Sequence, residues 1–163
     1  VKSRLLGTRH ATKTVDVKMI CPEDYRKNEK EAGKALDAYT ENKLGDRFCF
    51  KEKKVSFIYK EDDNVVGRIV GSIFFNYLQI EMVVVDDRYH GKGIGGQLLA
   101  AAEKMALEEG CIFVYLESMS FNAPAFYEKK GYKIIEKVEN SPLPGESHYF
   151  FIKHLKKPLH KTA

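Results

Sequence analysis

The chain has 163 residues, with 27 Lys and Arg against 23 Asp and Glu, a net charge of +4, 44% hydrophobic and 31% charged residues. One domain runs roughly 100–200 residues, and a chain of this size buries enough surface to fold without a metal or disulfide staple. The composition excludes disordered, collagen-like and low-complexity classes. The mild charge, without a clustered basic stripe, suits a small polyanionic ligand and gives no sign of nucleic-acid binding.

Residues 1–15 are polar and basic with weak patterning and read as an arm or a first strand. The chain starts at Val1 rather than Met, so a processed or partial N-terminus is expected, and this start lacks the apolar core of a signal peptide. No apolar run approaches the ~18 residues of a membrane helix, so no membrane partner is expected. Cys21, Cys49 and Cys111 are odd in number and far apart, without Cys-x-x-Cys or Cys/His spacing. They read as incidental thiols of a cytoplasmic protein without a metal site.

Pro22-Glu23-Asp24 marks a helix start, and a polar helix is expected to run to about Leu44, stopped by Gly45, with a break allowed at Gly33. Val55, Phe57 and Tyr59 then alternate within a strand over Lys54–Lys60. Val65–Tyr77 and Leu78–Val85 follow across short turns, which gives an antiparallel meander. Asp86–Gly93 is a glycine-bearing loop. Ile94, Leu98, Ala101, Ala102, Met105 and Ala106 recur at helical spacing, with Gly110 as the stop. Ile112–Leu116 is a buried strand, Pro124–Lys130 a short helix, and Tyr132–Val138 and His148–His154 are strands around the loop Glu139–Ser147. Residues 156–163 form a basic tail. The expected fold is α/β (α+β), a single domain over 1–163. Its central sheet is mixed and mostly antiparallel, with six or seven strands and helices on both faces. The crossover helix should set Ile112–Leu116 parallel to Leu78–Val85.

The segment His90-Gly91-Lys92-Gly93-Ile94-Gly95-Gly96 places four glycines directly at a helix start. Backbone N–H groups there can converge on a phosphate, helped by the positive end of the helix dipole. A Walker A loop needs Ser or Thr after the lysine, and here Gly93 follows Lys92. Gly91, Gly93 and Gly96 also satisfy the dinucleotide fingerprint, with Glu117 about where a ribose-binding acid would stand. Against it, Asp86–His90 separate strand from glycines, and too little chain follows Glu117 for a doubly wound sheet.

The third candidate ligand is the diphosphate of coenzyme A. Val83-Val84-Val85, Tyr89–Gly95 and Leu98-Leu99 together resemble motif A of the GNAT superfamily of N-acetyltransferases. That motif is Arg/Gln-x-x-Gly-x-Gly/Ala after a hydrophobic strand. Asn122–Tyr132, with Phe126-Tyr127-Glu128-Lys129 and Gly131-Tyr132, resembles the family's second signature. The resemblance covers roughly 54–138, the motif-bearing core, and the region before Lys54 is only loosely family-like. The chain departs from the pattern at His90, where the family has Arg or Gln. Backbone donors survive that change, but a permanent cation does not, since histidine has a reference pKa of ~6.5. Arg88 or Lys92 could supply charge instead.

The resemblance implies acetyl transfer from acetyl-CoA to a small-molecule or peptide amine by direct attack in a ternary complex. A lysine-like amine with pKa ~10.4 is neutral in about one molecule per thousand near pH 7.4, so a carboxylate that takes its proton is expected. Strand parity puts Leu78, Ile80, Met82 and Val84 on one face and Gln79, Glu81, Val83 and Val85 on the other, which points to Glu81 as base or amine anchor, with Glu117 second. The resemblance makes Tyr127 the acid for the departing thiolate, with core packing as the alternative. It also puts the backbone of Val83, Val84 and Val85 on the pantetheine arm, and residues 90–96 on the diphosphate: His90, Gly91, Lys92, Gly93, Ile94, Gly95 and Gly96. Asn122 would bind the cofactor or cap the Pro124 helix. His148, at the head of the last strand, falls beside the acceptor site or is simply a strand end. Two rival readings are a non-catalytic acyl-CoA-binding module and a nicotinamide-dinucleotide protein. Family analogy allows a homodimer through the terminal strands.

Overall fold

The structure, a computed structural model, describes residues 20–47 and 52–155. The expected arm at 1–15, the tail at 156–163 and Cys49 lie outside the described residues. The chain divides into two compact units, one within Val1–Phe48 and one within Cys49–Ala163. In the first, helix α1 spans Tyr25–Leu44 and leads into a 3-10 turn at Gly45–Arg47. It starts after Asp24, whose carboxylate accepts the Lys27 N–H at 2.9 Å and so satisfies one of the orphan donors of the first turn. It runs unbroken through Gly33, and none of its residues is buried.

The second unit holds strands β1 Glu52–Glu61, β2 Asn64–Phe74 and β3 Tyr77–Val85, then helix α2 Ile94–Glu108. Strand β4 Phe113–Met119, helix α3 Pro124–Lys129, β5 Lys133–Glu139 and β6 Ser147–His154 follow. Among the described residues they form one six-stranded sheet in the order β1-β2-β3-β4-β6-β5. Only β3 and β4 pair in parallel, as a crossover helix between them requires. The expected mixed, mostly antiparallel α/β sheet is therefore present. No helix among the described residues is long and apolar enough to cross a membrane.

The core lies between the sheet and α2. Ile94, Leu98, Leu99, Ala102 and Ala106 form the buried stripe of the helix, and the two alanines let it approach the strands closely. They meet Val55, Ile69, Ile73, Leu78, Ile80, Val114, Leu116 and Phe151. Helix α3 shares this core, with the Tyr127 ring 5.6 Å from that of Phe151. Cys111 is buried here, and desolvation pushes its thiol up. Tyr132 is anchored by donating its hydroxyl to Glu103 at 2.9 Å, and Lys153 pairs with the same carboxylate at 2.7 Å.

Strand β3 carries the feature that shapes the site. Its register against β2 moves from Gly71↔Ile80 to Val70↔Met82, so Glu81 is an extra, bulged residue. The bulge shifts the side-chain alternation by one. Leu78 and Ile80 are buried, but Met82 and Val84 are 60% and 58% exposed, while Val83 and Val85 pack against the core. The uninterrupted parity expected from the sequence is corrected accordingly. Gly71 sits opposite the bulge, where a β-carbon would overlap the Gln79 carbonyl oxygen. The β3–β4 ladder ends at Ile80↔Leu116, although β3 continues to Val85 and β4 to Met119. The strands part there and leave a slot. Gly71→Ala should force the bulge to rearrange, lowering the unfolding free energy by about 2 kcal/mol, as overpacking does. A urea midpoint equal to wild type would contradict that role.

Candidate active site

The slot opens into a cavity of about 1120 Å³. The backbone decides what faces it. Asp86 N–H donates to Val66 O at 2.9 Å, so at that point β3 faces β2. Peptide groups alternate along a strand. Val84 and Met82 therefore also turn to β2, and the peptide groups of Val83 and Val85 turn to the side where β4 has left. The exposed Val84 side chain lines the same cavity.

At the end of β3 the chain makes a 3-10 turn at Asp87–Tyr89 and enters α2 through Gly91 and Gly93, at φ 77° and 81°. This left-handed conformation is open to glycine and strained for other residues. Helix α2 has no side-chain cap at Gly93 and no acid in its first turn, so its first amides are left for an outside acceptor. A β-carbon at Gly95 would stand 3.2 Å from the Phe126 ring, and one at Gly96 2.5 Å from Lys130 Nζ. The cradle is therefore shaped by the absence of side chains at both positions.

The charged residues around this loop are arranged differently from each other. Asp86 accepts from both the main chain and the guanidinium of Arg88, at 3.0 and 2.7 Å, which holds its carboxyl down at about 2. Arg88 is thereby committed to the turn. His90 Nε2 lies 2.9 Å from Val85 O, and as a carbonyl only accepts, the ring donates from this nitrogen. His90 latches the loop to the strand. Lys92 rests over the Tyr89 ring, 4.2 Å from its centroid, and does not line the cavity. The other expected cofactor residues, Val83, Val84, Val85, His90, Gly91, Gly93, Ile94, Gly95, Gly96, Asn122 and Tyr127, all line it. Asn122 does so without capping α3, whose cap is Ala123 with no side-chain bond.

Glu81 and Glu117 line the same cavity. Glu81 Oε1 accepts from the hydroxyl of the fully buried Ser72 at 2.6 Å, and Ser72 Oγ in turn accepts from Lys54 at 3.0 Å. Glu117 Oε1 accepts from Tyr115 at 2.7 Å, and burial together with this carboxylate pushes the phenol up to about 12. Glu117 Oε2 stands 2.8 Å from His148 Nε2, a buried nitrogen that is off the line of a hydrogen bond. The Tyr127 ring sits edge-on to Phe126 and Tyr132, and burial pushes its hydroxyl up, so the phenol keeps its proton at neutral pH. Sequence reasoning missed Ser72, Lys54, Tyr115 and Lys130. Ser72 and Lys54 come near Glu81 only through strand register, whereas Tyr115 stands two residues before Glu117 on the same strand. Lys130 had a local signal, its place beside Gly131 in the second motif.

The chain is 34% identical over 96 residues to blasticidin-S acetyltransferase of Streptomyces morookaense, covering 58% of this chain and 70% of that protein. A crystal structure of an acetyltransferase from Bacillus cereus ATCC 14579 is 34% identical, with a TM-score of 0.74, covering 85% of this chain and 98% of that one. A candidate streptothricin acetyltransferase from Bacillus anthracis str. Ames, solved with acetyl coenzyme A, is 26% identical with a TM-score of 0.58, covering 63% and 64%. The pattern of the acetyltransferase (GNAT) family matches residues 18–132, reaching well before Lys54, where the sequence looked only loosely family-like. The chain belongs to the acetyltransferase (GNAT) family.

Proposed function

We propose that the chain is an N-acetyltransferase that moves the acetyl group of acetyl-CoA to a small-molecule amine by direct attack in a ternary complex. One observation carries the reading: the open edge of β3, with the N–H groups of Val83 and Val85, is followed after one short turn by the uncapped glycine start of α2. Such an edge matches an extended amide-bearing arm, and the uncapped helix start matches a diphosphate. The acetyl-CoA held by a structural relative supports the same ligand, and relatives named for blasticidin S and streptothricin support a small amine acceptor.

Acetyl-CoA would supply an activated thioester. The chain's own part is positioning and proton transfer. The amides of Val83 and Val85 hold the arm, and one of them donates toward the carbonyl oxygen, where negative charge develops. Glu81 takes the proton of the incoming ammonium. The Ser72 hydroxyl fixes the carboxylate, and Lys54 orients that hydroxyl. Tyr127 gives its proton to the departing sulfur. Glu117, held by Tyr115 and flanked by His148, is the second carboxylate of the cleft and anchors the acceptor.

Tyr127→Phe should lower kcat by about 10²–10³-fold, in the range of a lost general acid, while calorimetric affinity for CoA stays within about threefold. Unchanged turnover removes Tyr127 as the acid. Glu81→Gln should lower kcat/KM by about 10²-fold near neutral pH. The deficit should shrink toward pH ~10, where solution supplies the neutral amine. A pH–rate profile identical to wild type rejects Glu81 as the base. Release of free thiol from acetyl-CoA across a panel of amines tests the reading as a whole. Binding of CoA with no turnover on any amine would make the chain a binding module.

A further inference from the structure

We propose that Lys130 supplies the permanent cation for the cofactor's diphosphate, a charge that His90 does not provide in this chain. The inference rests on the acetyl-CoA reading above and concerns which side chain completes the diphosphate cradle.

Among the described residues, five basic side chains stand near the glycine loop, and three of them are committed elsewhere. Arg88 is bound bidentately to Asp86. His90 is bound to Val85 O. Lys92 lies on Tyr89 and outside the cavity. Lys129 and Lys130 line the cavity from the end of α3, and neither has an ion-pair partner among the described residues. Of the two, Lys130 has its Nζ placed over the first turn of α2, close enough to Gly96 that a β-carbon there would meet it at 2.5 Å. The Phe126 ring lies beneath, 5.9 Å from the ammonium, and itself bounds Gly95.

That placement sets a cation beside the positive end of a helix. The start of a helix carries partial positive charge, which attracts anions and repels cations. Here the first turn has no acid and the cap has no side-chain oxygen. An ammonium over this turn therefore adds like charge to like charge. An anion of two or more charges resolves the conflict by accepting from the α2 amides and from Lys130 together. Gly96 follows from the same arrangement, since any larger residue there would evict the lysine from the cradle.

The test is calorimetric binding of CoA and dephospho-CoA to the full chain and to Lys130→Gln and Lys130→Arg, with thermal melts of the free proteins. Loss of one charge-assisted contact should weaken CoA binding by about tenfold in Lys130→Gln and make it less sensitive to salt. Dephospho-CoA, which keeps the diphosphate and lacks the 3′-phosphate, should show the same loss, and Lys130→Arg should recover most of it. The free Lys130→Gln protein should melt no lower than wild type, because a repulsion has been removed. Equal CoA affinity for wild type and Lys130→Gln overturns the proposal. So does a loss that vanishes with dephospho-CoA, which reassigns the lysine to the 3′-phosphate. A lower melting temperature in the free variant also overturns it, by making the lysine structural. Wild type that binds no CoA at all sinks the acetyl-CoA reading itself.

Discussion

The site depends on one constraint: a ladder that stops. β3 and β4 pair in parallel only as far as Ile80 and Leu116, and both strands then continue alone. A parallel pair in a covered sheet ordinarily satisfies its inner peptide groups along its length, because an unpaired buried amide is costly. Here the bulged Glu81 turns the strand, Gly71 makes room for the turn, and the N–H groups of Val83 and Val85 are left to a cavity. The residues proposed to act chemically are arranged around this parting. Glu81 lies on it, Glu117 directly follows the last pair on β4, and the glycine start of α2 closes the far end.

Much of this was legible in the sequence. Alternation in Val55, Phe57 and Tyr59, the helical spacing of Leu98, Ala102 and Ala106, and glycines at 91–96 each report a local backbone preference. Local preferences survive folding when the tertiary structure agrees with them. The parallel placement of β4 followed from the need for a crossover. The bulge was not legible. Nothing in Leu78–Val85 distinguishes eight regularly alternating residues from a strand that changes phase at Glu81, because the cause lies across the ladder at Gly71. Parity reasoning therefore reached Glu81 while assigning Met82 and Val84 to the wrong face.

The same limit applies to electrostatics. His90 in place of Arg or Gln looks like a lost phosphate ligand when only the loop is read. In three dimensions the imidazole is a latch on Val85, and the ammonium beside the first turn of α2 is that of Lys130, at the end of α3, some forty residues on in the chain. Likewise Glu117 is held by Tyr115 two residues away on its own strand, which alternation allows, and is flanked by His148, which only the β4–β6 register brings near. Short-range partners can be inferred from spacing, whereas partners across a sheet need the register.

The His90 latch has a further consequence for timing. The ring N–H of His90 ties the loop back to the last residue of the strand it follows. The Arg88 guanidinium bound to Asp86 ties the turn before it in the same way. Little conformational entropy is then left to surrender on association.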